Sequence, residues 1–171
     1  MLEQVNRARQ GDRDAFAALM ERCQPDLYRV ARGYFSSPAD IADAIQETIL
    51  ACWEHLPELR QPRYFKTWLI RILINKCTDL QRAGRRWVPL DQLPPEAERD
   101  DAGEARAFAE LLELLDEIYR PVFLLYYGEG YKVREIGAML GLTGEAVKSR
   151  LRRGRTQLRA RYEALEGSVC G

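Results

Sequence analysis

Between positions 148 and 153 the chain places Lys148, Ser149, Arg150, Arg152 and Arg153. Arginine can pair bidentately with the edge of a guanine, and lysine and arginine both neutralise phosphates. At helical spacing Lys148, Ser149 and Arg152 share one face. Arg155, Arg159 and Arg161 continue the charge and suit phosphate or solvent. This is recognition chemistry, and nothing comparable supports bond-making. His55 is the sole histidine, and the chain has neither a glycine-rich phosphate loop nor a nucleophile–base motif. Cys23, Cys52, Cys77 and Cys170 are far apart and form no CxxC pair, so neither a zinc site nor another cofactor is expected. Cys52 and Cys77 fall in apolar helical patterns and read as reduced, buried thiols. Asp40 and Asp43 imitate a carboxylate metal pair but lack further ligands, so they read better as part of an interface.

Those cations need a rigid support, and the stretch KVREIGAMLGLTGEAVKSRLRRGRTQL supplies one. Val133, Ile136 and Leu140 give a short amphipathic helix ending at Gly141, where glycine takes a left-handed conformation at no steric cost. Gly137 is small enough for two helices to approach closely. Thr143 is a suitable N-cap for the next helix, and Glu145 in its first turn suits the helix dipole. Val147 and Leu151, four apart, would pack that helix on the first and turn the cations outward. Two helices joined by a glycine turn, the second rich in cations, is the pattern of a helix-turn-helix whose second helix enters the DNA major groove. The bland alternative is an amphipathic helix with a solvated basic face.

The rest of the 171-residue chain predicts an all-α fold of two small helical domains. A helix is expected over Asp12 to Tyr34, kinked or broken at Pro25. A second opens at Ser36-Ser37-Pro38 and runs through Ile41, Ile45, Ile49, Leu50 and Trp53 to about Leu56. A third runs from about Tyr64 to Ala83 with Phe65, Trp68, Leu69, Ile72, Leu73 and Leu80 inward. Residues 88–104, proline-rich and acidic, read as a flexible linker. Helices at about Ala105 to Leu115 and Tyr119 to Tyr127 precede the helix-turn-helix, and residues 167–171 read as a frayed tail. The expected domains are therefore 1–87 and 105–166. The formal net charge of +0 hides segregation. Arg60, Arg63, Lys66, Arg71, Lys76, Arg82, Arg85 and Arg86 stand against Asp79 alone, the stretch 91–117 is strongly acidic, and 131–162 is basic again. Two basic blocks around an acidic one suit nucleic-acid footprints. With no signal-peptide pattern and no apolar run long enough to span a bilayer, the expected location is cytoplasmic.

The order of motifs carries a resemblance. A DxxDxxQE helix is followed by an FKTWL helix with a basic end, an acidic linker, and a helix-turn-helix ending in KSRLRRGR. From about Asp14 to Tyr162 the chain resembles the extracytoplasmic-function (ECF) group of bacterial sigma-70-family RNA polymerase sigma factors. The resemblance implies that Asp40, Asp43, Gln46, Glu47 and Trp53 lie on the helix that docks the β′ coiled coil of core polymerase. It implies that Asn75, Lys76, Asp79, Arg82, Arg85 and Arg86 approach the −10 element, with Tyr64 and Trp87 better placed than Trp68 to stack on bases. It implies −35 contacts from Thr143, Lys148, Ser149, Arg150, Arg152 and Arg153. The implied partners are core RNA polymerase through its β′ and β subunits, promoter DNA and an anti-sigma factor that could hold the chain at the membrane without insertion. Such a protein is a specificity factor and not an enzyme. Two other readings stay open: a conventional helix-turn-helix regulator, which predicts a dimer on a palindrome, and a helical adaptor that binds only protein.

Overall fold

A computed structural model describes residues 1–84 and 102–169, and the side chains of all of these except 102–106. Arg85, Arg86, Trp87, most of the acidic stretch expected as a linker, and Cys170 lie outside the described residues. All regular structure among the described residues is helical, and the chain divides into two compact units, Met1–Trp87 and Val88–Gly171.

The first unit holds α1 (Leu2–Arg9), α2 (Arg13–Arg32), α3 (Pro38–His55) and α4 (Phe65–Arg82), with 3₁₀ turns at Leu56–Glu58 and Pro62–Tyr64. Helix α2 starts where the Asp12 carboxylate accepts the Ala15 amide at 2.9 Å and pairs with Arg7 at 2.6 Å. These interactions hold the Asp12 carboxyl below the usual aspartate range. Pro25 does not end α2. A proline inside a helix forfeits a hydrogen bond, and buried Cys23 and Leu27 on either side hold both halves to the core. Ser37 caps α3 by accepting the Asp40 amide, and Pro38 occupies the first turn, where its missing N–H costs nothing.

Helices α2, α3 and α4 pack together around Leu19, Leu27, Phe35, Ile41, Phe65, Leu69 and Leu73. The buried arc of α4 is rotated from the sequence expectation. Ile70, Ile74 and Cys77 are buried, while Trp68, Ile72 and Leu80 are only half-buried. Helix α4 packs against both α2 and α3, and two neighbours shift the inward side. On α3 the buried line is Ile41, Ala44, Thr48 and Cys52, which leaves Leu50 on the surface. Cys23, Cys52 and Cys77 are free and buried, and burial pushes the thiols of Cys52 and Cys77 up to about 12.

The second unit holds α5 (Ala102–Glu113), α6 (Arg120–Phe123), α7 (Val133–Leu140) and α8 (Gly144–Val169). Its core is Leu112, Leu115, Val122, Phe123, Leu125, Ile136, Met139, Val147 and Leu151. The single helix expected over 119–127 instead widens after Phe123 into a π-type turn, Leu124–Gly128, in which the Glu129 amide donates to the Leu124 carbonyl at 3.0 Å. Helix α8 is longer than expected and continues past Glu166 to Val169.

Candidate nucleic-acid interface and docking face

The turn between α7 and α8 is built as its residues require. Gly141 sits at φ 66°, ψ 34°, the left-handed conformation that ends α7. A Cβ at Gly137 would stand 2.7 Å from the Leu142 carbonyl oxygen, so only glycine lets the turn fold back this closely. Glu135 accepts the Lys132 amide at 2.8 Å, and Thr143 accepts the Ala146 amide at 3.1 Å, which satisfies donors at both helix starts. Val147 and Leu151 are buried on the inner side of α8.

That packing fixes what α8 presents. Lys148, Arg152 and Arg153 are exposed, and Ser149 and Arg150 are half-buried at the flanks. Lys148 contacts Glu145 at 3.4 Å, while Arg150, Arg152 and Arg153 have no ion-pair partner among the described residues. Arg161 behaves differently from the expectation that it meets phosphate or solvent. Its guanidinium donates to the Leu114 carbonyl and pairs with Asp116 at 3.0 Å. Gln157 accepts the Asp116 amide at 2.8 Å. Arg161 therefore ties α8 to the end of α5.

In the first unit two surfaces adjoin. Along α3, Asp40 and Asp43 are half-buried, Gln46 and Glu47 are exposed, and Trp53 is 36% exposed with one side packed edge-on against Phe16 at 4.8 Å. Along α4, Asn75, Asp79 and Arg82 are exposed at positions i, i+4 and i+7 and so share a face. Lys76 is half-buried and reaches Glu47 at 3.8 Å, which links the two helices. Tyr64 is 52% exposed, with the Arg63 guanidinium 4.7 Å from its ring centre. Trp68 lies 6.0 Å from Phe65 and is half-buried.

Comparison with known proteins assigns both units. Residues 19–87 match the family model for sigma-70 region 2, and residues 105–158 match that for sigma-70 region 4. The chain is 31% identical to the RNA polymerase sigma factor NccH of Alcaligenes xylosoxydans xylosoxydans over 91% of both chains. It is 32% identical to the ECF RNA polymerase sigma factor SigM of Mycobacterium tuberculosis, over 86% of this chain and 77% of SigM. The chain belongs to the ECF sigma factors of the sigma-70 family. It is also 30% identical to the probable RNA polymerase sigma factor RfaY of Xanthomonas campestris, over 87% of this chain, but spans only 40% of that protein's length. Among solved structures, CnrH in complex with the cytosolic domain of CnrY has the same fold, with a TM-score of 0.72, 30% identity, and coverage of 95% of this chain and 97% of CnrH.

Several residues of this sigma factor's surfaces escaped sequence reasoning. Leu50 is 65% exposed between Glu47 and Trp53, a large apolar side chain in a polar face. Gly154 is buried within the arginine-rich helix, and a Cβ there would stand 2.3 Å from the Phe123 ring. A glycine inside a helix is disfavoured by about 1 kcal/mol relative to alanine and signals a close approach. Tyr127 accepts a hydrogen bond from Arg155 Nε at 2.8 Å, and no local pattern announces that pair. No described helix is long and apolar enough to cross a membrane.

Proposed function

We propose that this sigma factor docks core RNA polymerase through α3 and directs promoter-specific initiation by reading the −10 element with α4 and the −35 element with α8. The observation that carries the reading is the outer face of α8, where exposed Arg152 and Arg153 have no intramolecular ion pair among the described residues, on a helix fixed by the glycine turn. In the −35 contact Lys148, Ser149 and Arg152 meet base edges. Arg150 and Arg153 meet phosphate, and Thr143 sits beside the positive end of α8, where an anion is favoured.

On α3, Asp40, Asp43, Gln46 and Glu47 form a polar, acidic face for a basic surface of the β′ subunit, with Trp53 as its aromatic anchor. On α4, Asn75, Lys76, Asp79 and Arg82, continued by Arg85 and Arg86, approach the exposed non-template strand, and Tyr64 offers a ring for base stacking. The domains proposed are 1–87 for polymerase and −10 contacts and 105–166 for the −35 contact, tethered by 88–104. Catalysis belongs to the polymerase. CnrH is held by the cytosolic domain of CnrY. A comparable anti-sigma protein would hold this chain in the cytoplasm, at the membrane if that partner is anchored there.

Run-off transcription tests the reading. Core polymerase is supplied with genomic promoter fragments, with and without the protein. Selective initiation only with the protein, lost on changing Lys148 and Arg152 to Ala, is the expected result. Tight binding of the protein alone to a palindrome, without initiation, would make it a conventional regulator.

A further inference from the structure

We propose that Tyr127 is a positioning residue for DNA binding: it holds the Arg155 guanidinium as a preformed phosphate contact beside the reading face of α8. The proposal rests on the −35 assignment above. Arg155 Nε donates to the Tyr127 hydroxyl at 2.8 Å, and the guanidinium carbon lies 5.8 Å from the Tyr127 ring centre. The bond uses one of five N–H donors and leaves both Nη groups for an oxyanion. Arg155 has no ion-pair partner among the described residues, so its charge is not already neutralised within the unit.

The tyrosine is itself anchored. Phe123 is buried, its ring seated in the notch left by the missing Cβ of Gly154. Tyr127 packs on Phe123 with ring centres 5.4 Å apart and edge-on against Tyr126 at 4.9 Å. The π-type turn widens the backbone between Phe123 and Tyr127, which changes the direction Tyr127 takes from its helix. A half-exposed tyrosine thus reaches the side of α8.

Position on α8 says what the held guanidinium meets. Lys148, Arg152, Arg155 and Arg159 recur at i, i+4, i+7 and i+11 and so line one edge of the helix. Lys148 and Arg155 are separated by about 10 Å along the axis at 1.5 Å per residue. The major groove is about 12 Å wide. With the first turns of α8 in the groove, Arg155 lies two turns beyond Lys148 on the same edge, and we place it toward the flanking phosphates. An arginine fixed in advance gives up less rotamer freedom on binding than a free one.

The test measures promoter binding by the holoenzyme as a function of salt, on a fragment that yields the run-off product. Arg155→Gln should weaken binding roughly fivefold at 0.15 M salt and reduce the slope of log Kobs against log salt by about 0.9. Tyr127→Phe keeps the ring and the cation. It should weaken binding roughly two- to fivefold, leave the slope and the melting temperature unchanged, and add nothing in the Arg155→Gln background. Arg155→Lys should match Tyr127→Phe, because the charge stays and the Nε contact goes. An equal Tyr127→Phe effect with and without Arg155, or an unchanged slope in Arg155→Gln, overturns the proposal. If the wild-type holoenzyme gives no run-off product dependent on this protein, the −35 reading falls and the proposal with it. If Arg152→Ala relaxes preference at one −35 position while Tyr127→Phe has no effect, only the proposal falls.

Discussion

In the first unit three cations of α4 lie against carboxylates: Lys66 reaches Asp26 at 2.6 Å, Lys76 reaches Glu47 at 3.8 Å and Arg82 reaches Asp79 at 3.9 Å. Arg71 on the same helix is exposed and has no ion-pair partner among the described residues. In the second unit Arg150, Arg152, Arg153 and Arg155 have no acidic partner among the described residues. Both surfaces are basic in sequence, yet most of the described cations on α4, and few on the outer face of α8, lie against carboxylates of their own unit. Exposed ion pairs contribute little to stability, about 0–1 kcal/mol each, so the pairs of the first unit matter less for folding than for what its cations are free to do. Lys76 must release Glu47 to meet a phosphate, and Glu47 lies on the face proposed to dock polymerase. The α8 cations have no such exchange to make. A net charge of +0 is then compatible with DNA recognition, because charge of the useful sign is concentrated where it is unpaired.

The largest expected effect tests the unpaired surface. Arg152→Ala should cost about 1–3 kcal/mol of promoter binding and relax preference at one −35 position, read by holoenzyme binding to single-base promoter variants. A uniform loss across all variants would mean that Arg152 only touches phosphate. Next comes the support beneath that surface. Gly154→Ala gains about 1 kcal/mol of helix propensity, but the Phe123 ring must move, at about 1–3 kcal/mol. A net destabilisation near 1 kcal/mol is expected in thermal melts, with the first unit unaffected; a higher melting temperature would show that the ring yields freely.

A smaller effect tests the paired surface. Glu47→Gln should raise the affinity of the free chain for single-stranded DNA by about 0.2–1 kcal/mol while weakening core polymerase binding, both measurable by anisotropy. No gain in DNA affinity would sever the link between the two faces. The smallest effect concerns Asp12, whose carboxyl is held below its usual range first by the Ala15 amide and then by Arg7. A depressed pKa stabilises the fold above the unfolded value near 3.8, and that contribution is lost as pH falls through the folded value. The difference in melting temperature between wild type and Asp12→Ala should be flat at neutral pH and shrink below about pH 4. A difference that persists in acid would assign Asp12 a role other than its charge.

Local sequence carried the turn of the second unit because each signal there acts over three or four residues: Gly141 for the left-handed end, Thr143 for the cap, and Val147 with Leu151 for the inward side. The motif order likewise pointed to the sigma-70 family through pieces that each fit within one helix. Packing set the details that differed. Two neighbours turned α4 toward Ile70 and Ile74, and packing on the core kept α2 continuous through Pro25. Arg161, apparently one more free cation, was claimed by the end of α5.

The sequence by itself therefore determined the all-α character, most of the helices, the glycine turn and which residue types could recognise DNA, since propensity, capping and charge are properties of neighbouring residues. Only the tertiary structure decided which cations are spoken for. Lys76 with Glu47, Arg161 with Asp116 and Arg155 with Tyr127 are separated by 28 residues or more in the chain. No local pattern fixes such pairs, because their distances depend on how whole helices pack.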